Sequence, residues 1–233
     1  MIPLHDANPT RGVAIVTRLL LFTNIALWIY ALYLSRQAGA MDALYDQYAF
    51  DWSKFTSALA NGNATISTFV PLITHQFLHG GWLHVLGNML YLWIFGDNVE
   101  DAMGSIQFLA FYLVCGVIAA IGQGLLAPAP MVGASGAIAG VLGAYLVMFP
   151  TARVSTLVFL GLFITIIELP ALIVIGLFVV LQIIEGVAEL RLAAPATQQV
   201  AYFAHVFGFL AGILLLPVFR RNSASRRVRV GWG

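Results

Sequence analysis

The sequence predicts an all-α polytopic membrane protein with six transmembrane helices in one membrane domain. Of its 233 residues, 61% are hydrophobic and only 9% are charged, and the mean hydropathy is +0.91. A soluble domain has about 25% charged residues. Six apolar segments are each close to the ~20 residues that cross a bilayer. These segments are residues 18–35, 81–97, 105–126, 134–149, 168–187 and 199–218.

The composition also limits the partners of the chain. A formal net charge of +1 argues against nucleic acid as a partner. The single cysteine, Cys115, cannot form an intrachain disulfide. Pro3, Asp6 and Pro9 precede the first apolar segment, and no small-residue cleavage pattern follows it. We therefore expect this segment to be a retained helix rather than a signal peptide, and the lipid bilayer to be the main partner.

Two stretches between the apolar segments fit neither a simple loop nor a span. The connection 36–80 carries several aromatic residues, which favour the headgroup level of a bilayer, so we expect a structured element partly embedded in one interface. Residues 154–167 are apolar but only about 14 residues long, which suits an interfacial or re-entrant piece better than a span.

Charge asymmetry supports six spans and sets their orientation. With six spans both termini share one side, and eight of the 11 basic residues then lie on it, which is the positive-inside pattern. A seventh span would send the five C-terminal arginines outside. The predicted organisation is a cytoplasmic N-terminal segment (1–17), a membrane domain (18–218) and a basic cytoplasmic tail (219–233).

Four polar residues fall at similar depth in this topology. His84 and Asn88 lie in the outer part of the second segment, Ser135 at the outer end of the fourth, and His205 roughly 10 Å into the sixth. Polar groups in lipid are unfavourable and suggest a functional site. A seventh span would place Ser135 and His205 in opposite leaflets. The expected geometry of the site and the distribution of charge therefore both favour six spans.

The residue types suggest nucleophilic catalysis. Serine needs a base to take its proton, and His205 can supply it, so a Ser135–His205 dyad with no third member is the economical interpretation. His84 and Asn88 share one helix face and could donate to an oxyanion, as could the Ser135 backbone N–H at a helix N-terminus. Small residues spaced by four then allow close packing of the helices that carry the dyad. They are Gly136 with Gly140 and Gly208 with Gly212.

Other interpretations of the same residues remain open. A serine in a glycine-rich membrane helix can serve packing, and a membrane histidine can be a core or gating residue. His75, His79 and His84 could bind a metal, but no His-Glu-x-x-His pattern accompanies them, so we predict neither metal nor cofactor. We expect His75 and His79 to flank the outer interface and to help hydrate it. Gln182 could form helix–helix hydrogen bonds or face the cavity.

At these residues the chain resembles the rhomboid family of intramembrane serine proteases. The resemblance rests on Gly133-Ala134-Ser135-Gly136, on His84-Val85-Leu86-Gly87-Asn88 and on Ala204-His205-Val206-Phe207-Gly208 with Gly212. Residues 77–83 resemble the family's entry to its second helix, and the opening Met1-Ile2-Pro3-Leu4 is similar to many bacterial members. The similarity runs from about Phe77 to Leu216.

The resemblance implies a six-helix core, with Ser135 as nucleophile and His205 as base. It also implies that His84, Asn88 and the Ser135 amide are oxyanion donors. Substrates would be single-span membrane proteins cut in or beside the span, preferably after a small residue, and Gly133 and Ala134 would contact them. The expected location is a bacterial inner membrane, with the active site opening to the extracytoplasmic side.

The chain departs from the family pattern at two places. The Trp-Arg pair of the first long loop is absent, and Ala139 stands where some members carry an aromatic that packs on the histidine. Other neighbours should therefore hold His205. The alternative functions are a non-catalytic relative that binds or escorts client transmembrane helices, and a small transporter or channel. The presence of both Ser135 and His205 argues against the first, and the lack of a convincing internal repeat against the second.

Overall fold

The computed structural model describes residues 1–10, 12–160, 163–192 and 200–220, and this part of the chain is mostly helical. Arg11, the basic residues beyond Arg220 and the rest of the predicted tail lie outside the described residues. In chain order the helices are α1 (Ile15–Leu34), α2 (Ala40–Tyr48), α3 (Trp52–Ala60), α4 (Ile66–Phe69), α5 (Pro71–Thr74), α6 (Trp82–Met103), α7 (Ser105–Leu126), α8 (Ser135–Met148), α9 (Ala171–Leu192) and α10 (Tyr202–Phe219). Helices α1 and α6 to α10 coincide with the six apolar segments.

The helices differ in how well they suit a membrane. Within the described residues, four stretches are long and apolar enough to cross a bilayer: Ile15–Leu34, Ser105–Leu126, Ala171–Ala188 and Tyr202–Phe219. Helix α8 is apolar but has only 14 residues. Helix α6 has 22 residues and is interrupted by polar side chains such as Asn88 and Asn98. The count of six spans therefore stays a prediction.

A small sheet corrects the prediction of an all-α fold. Strands β1 (Ile2–Asp6), β2 (Arg153–Leu160) and β3 (Phe163–Pro170) form an antiparallel sheet in the order β1-β2-β3. Strands β2 and β3 pair from Arg153 with Pro170 to Leu160 with Phe163, so both ends of this hairpin meet. The segment is rich in β-branched residues, which favour strands, and it alternates: Val154, Thr156 and Val158 are buried whereas Phe159 is exposed.

A buried carboxylate attaches the sheet to the helices. Asp6 of β1 accepts hydrogen bonds from the Tyr145 hydroxyl (2.5 Å) and the Asn98 side-chain amide (3.1 Å). Burial raises the pKa of Asp6, and the nearby Asp97 raises it further, although the hydrogen bond from Tyr145 acts in the opposite direction. Tyr145 follows Ser135 by about 15 Å along α8, so the sheet lies at the end of α8 opposite Ser135.

Helices α8 and α10 pack backbone to backbone, as the glycine spacing predicts. A Cβ added at Gly208 would overlap the carbonyl oxygen of Gly136, and one added at Gly212 would overlap that of Gly140. The residues of α8 from Gly136 to Tyr145 are all buried. This contact holds the helix that begins with Ser135 directly against the helix that carries His205.

The first long connection is a folded element, as expected from its aromatic residues. It contains α2 to α5 and a short 3-10 helix at His75–Phe77. Its buried Phe50 exchanges two backbone hydrogen bonds with Met131, at 3.1 and 2.9 Å. The connection is thereby tied to the loop that leads into α8.

Candidate active site

The nucleophile candidate Ser135 is partly buried at the first position of α8. Ala134 at the N-cap has no side chain that can accept a hydrogen bond, so the first-turn N–H groups of α8 have no side-chain cap. Gly133 has φ +130°, a conformation that favours glycine, and its N–H donates to the His75 carbonyl at 2.8 Å. A Cβ at Gly133 would lie 2.6 Å from His84 Nε2. The imidazole of His84 therefore lies against the backbone that precedes Ser135.

The two predicted oxyanion donors lie one turn apart on α6. His84 is partly buried, and its Nδ1 accepts a long hydrogen bond of 3.5 Å from the Gly80 N–H. Asn88 is buried, and its Nδ2 has no hydrogen-bond partner among the described residues. A buried amide donor without a partner is unusual, because desolvating it is unfavourable. Both residues present donors that a ligand could use.

The base candidate His205 is buried in the first two turns of α10 and is held by α9. Its Nδ1 lies 2.5 Å from the Gln182 Oε1. The ring of Phe178 packs on the imidazole with centroids 6.0 Å apart and an interplanar angle of 37°. On α7, Gln123 accepts from the backbone N–H of Ala204 at 3.0 Å and fixes the start of α10.

One open cavity of about 880 Å³ joins these groups. It is lined by residues from α6, α7, α8, α9 and α10, including all four predicted polar residues: His84, Asn88, Ser135 and His205. Two further polar side chains, Tyr91 and Gln123, also line it. The candidate nucleophile, the candidate base and the two candidate oxyanion donors thus line one space.

The remaining predicted site residues lie behind this cavity. Gly133 is buried, and Ala134 is fully buried and packs in the hydrophobic core. The methyl group of Ala134 is therefore shielded by its neighbours, and a contact from this pair to a substrate would use the backbone. Their predicted role in substrate binding stays a prediction.

The expectation that His75 and His79 help hydrate the outer interface is wrong, because both side chains are buried. Their exposed fractions are 1% and 2%, and burial lowers the pKa of His75 to about 4 and that of His79 to about 3. His75 Nδ1 is bonded to the Pro71 carbonyl at 2.7 Å, and His79 packs edge to face on His84 with centroids 5.1 Å apart. Within the described residues, no three His, Cys, Asp or Glu side chains cluster as metal ligands would. These histidines support the loop and His84.

Sequence reasoning understated one residue of the site. The sequence left open whether Gln182 forms helix–helix hydrogen bonds or faces the cavity, and it indicated no third group beside the serine and histidine. The available signal was the spacing of Phe178 and Gln182, which are four residues apart on one apolar segment and therefore share a face. Only the packing of α9 on α10 shows that this face meets His205.

The apolar helices are those of an integral membrane protein, and an open cavity that carries several polar side chains lies between them. The Rhomboid domain model matches residues 67–222, which is most of the chain. The chain therefore belongs to the rhomboid family, as the motif resemblance indicated.

Individual relatives are similar over shorter regions. The chain is 45% identical over 75 residues to the rhomboid protease GluP of Bacillus subtilis, over 32% of this chain and 15% of that protein. It is 40% identical over 79 residues to the putative rhomboid protease YdcA of the same species, over 33% of this chain and 40% of that protein. It is 35% identical over 98 residues to the mitochondrial presenilin-associated rhomboid-like protein of Bos taurus, over 40% of this chain and 26% of that protein. The chain thus spans less than half of each of these relatives.

Proposed function

We propose that the chain is an intramembrane serine endopeptidase that hydrolyses peptide bonds in or near the transmembrane segments of membrane proteins. Ser135 is the nucleophile and His205 the general base. His84, Asn88 and the backbone N–H of Ser135 donate to the oxyanion. The mechanism uses neither metal nor cofactor.

The reaction proceeds in two acyl-transfer steps. The Ser135 Oγ attacks the scissile carbonyl carbon while His205 takes its proton, and the carbonyl oxygen becomes an oxyanion that accepts the three hydrogen bonds. Collapse of this intermediate breaks the C–N bond, and His205 gives its proton to the leaving amine. Water then enters the cavity, loses a proton to His205 and releases the acyl group, which restores Ser135.

The observation that carries this proposal is the shared cavity. Three helices contribute Ser135, His205, His84 and Asn88 to one space, although the sequence separates them widely. Asn88 Nδ2, which has no hydrogen-bond partner within the described part of the chain, gives additional support, because an oxyanion would supply an acceptor for this buried amide. Relatives named as rhomboid proteases agree with the same activity.

The substrates we infer are single-span membrane proteins cut beside or within the span, preferably after a small residue. The apolar lining of the cavity, which includes Trp82, Ile138 and Phe178, suits an extended segment leaving a transmembrane helix. Gly133 and Ala134 would contact that segment through their backbone.

The proposed topology has six spans with both termini in the cytoplasm of a bacterial cell, and with the cavity opening to the extracytoplasmic side. Its parts are the N-terminal segment 1–17, the membrane domain 18–218 and the basic tail 219–233. The hairpin β2–β3 supports six rather than seven spans. Its two ends meet, so α9 starts on the same side of the membrane as the end of α8. Reporter fusions after Arg153, after Val187 and at Gly233 should be cytoplasmic, external and cytoplasmic; an external C-terminal reporter contradicts the topology.

The direct test of the function combines labelling and cleavage. The purified chain in vesicles is incubated with a fluorophosphonate and, separately, with a panel of single-span substrates. Covalent labelling at Ser135 and cleavage that is absent from Ser135→Ala support the proposal. Cleavage retained by a clean Ser135→Ala preparation contradicts it. Binding of the same substrates without cleavage or labelling would instead support the escort function.

A further inference from the structure

Helix α9 presents two side chains to His205 from successive turns. Phe178 and Gln182 are four residues apart and lie on the same helix face. The Phe178 ring packs on the imidazole at 6.0 Å, and the Gln182 Oε1 lies 2.5 Å from Nδ1. Together they contact both the face and the edge of one ring. No role in the chemistry proposed above explains this double contact.

The Gln182 contact has a chemical consequence for the histidine. A neutral imidazole carries one proton, so one ring nitrogen donates and the other accepts. The amide oxygen of Gln182 can only accept, so Nδ1 must hold the proton. The lone pair is then on Nε2, on the opposite side of the ring. A base that takes the proton of Ser135 needs this tautomer.

We propose that Gln182 is a positioning residue that holds His205 as the Nδ1–H tautomer, with Phe178 fixing the plane of the ring. The inference rests on the proposed function and extends it, because it replaces the simple dyad by a serine, a histidine and a neutral orienting amide. It also identifies the neighbours that hold His205 where Ala139 offers no aromatic ring.

The neutrality of Gln182 is the distinctive part of this arrangement. A carboxylate at this place would favour the protonated imidazole, which cannot act as a base. An amide orients the ring without adding charge. Of the described residues that line the cavity with His205, the titratable ones are His84 and Tyr91, both from α6; α7 and α8 contribute Gln123 and Ser135. None of these supplies a negative charge at neutral pH, so a carboxylate introduced at position 182 should have a visible effect.

Two substitutions separate orientation from charge. Gln182→Leu keeps most of the volume and removes the acceptor, so kcat should fall about 100-fold, as misplacement of a catalytic group does, while KM stays near the wild-type value. Gln182→Glu keeps an acceptor and adds charge, so most of the rate should survive at high pH. The acid limb of its pH–rate profile should move upward by on the order of one pH unit. The matched control is Glu185→Gln, because Glu185 lies almost one turn further along α9 and is exposed.

A spectroscopic measurement tests the tautomer without using activity. Nitrogen NMR of the full chain in micelles, labelled at histidine and assigned with His205→Gln, should show His205 protonated at Nδ1 in the wild type. The Gln182→Leu protein should show a mixture of the two tautomers. An Nε2–H tautomer in the wild type overturns the inference, even if the leucine variant fails to fold.

The outcomes also distinguish this inference from the proposed function. If the wild type cleaves substrate but both Gln182 variants keep its rate and its pH profile, Gln182 does not position His205 and the protease function stands. If the wild type neither cleaves nor labels at Ser135, the proposed function fails, while the NMR result still reports on the tautomer.

Discussion

Adding one methyl group at Gly208 tests whether the backbone contact between α8 and α10 sets the catalytic geometry. Gly208 lies three residues after His205, and its partner Gly136 directly follows Ser135. A Cβ at Gly208 would overlap the Gly136 carbonyl oxygen, which belongs to rigid backbone. We therefore expect Gly208→Ala to separate the two helices by on the order of 1 Å, since carbon and oxygen atoms pack at about 3.5 Å.

Two magnitudes follow from this separation. Overpacking of a well-packed interface costs about 1–3 kcal/mol, so the apparent Tm in micelles should fall. A misplacement of about 1 Å between nucleophile and base costs about 100-fold in rate. Fluorophosphonate labelling of Ser135, measured well below the Tm of the variant, should therefore be about 100-fold slower than in the wild type.

The control uses the same substitution on a neighbouring helix. A Cβ at Gly176 of α9 meets nothing within 4 Å, so Gly176→Ala should label at the wild-type rate. Both variants gain the same helix propensity, about 1 kcal/mol, which cancels in the comparison. If Gly208→Ala labels as fast as Gly176→Ala, the close contact of α8 with α10 does not control the dyad, and this account of the glycines is incorrect.

Three further outcomes are expected. Ser135→Ala and His205→Ala should each abolish cleavage, and the double variant should be no worse than either, because residues that act as a unit are not additive; losses that multiply in steady-state assays would argue against a dyad. Asn88→Ala and His84→Ala should each lower kcat about 10²–10³-fold, as loss of one oxyanion donor does. Full activity in both variants would show that α6 has only a structural role. Because burial raises the pKa of Asp6, its contribution to stability is present at low pH and is lost as the pH rises through the window between the unfolded and folded values. Thermal denaturation should show the Tm of the wild type falling across that window relative to Asp6→Asn, and parallel curves would show that Asp6 is not linked to folding.

The sequence was most informative where local composition decides the structure. A run of apolar residues of membrane length forms a helix in lipid because its backbone groups must bond internally, so the positions of α1 and α6 to α10 could be predicted from the sequence alone. The close approach of α8 and α10 was also predictable, because glycines spaced by four leave one helix face without side chains. The motifs around Ser135, His84 and His205 pointed to the family for the same reason: each motif is local.

Three features depended on tertiary structure. The β2–β3 segment looks like a short apolar run, and its strand partner β1 lies far away in the sequence, at Ile2–Asp6, so no local pattern indicates the sheet. His75 and His79 resemble interfacial residues until the first long connection folds over them and buries them.

Gln182 resembles an ordinary polar residue of an apolar helix, and its significance depends on the angle at which α9 meets α10. Sequence can determine which residues share a face of one helix, because the backbone hydrogen bonds of that helix are local. Side-chain packing across the whole bundle decides which face of a second helix these residues contact. Only the tertiary structure shows the result of that packing.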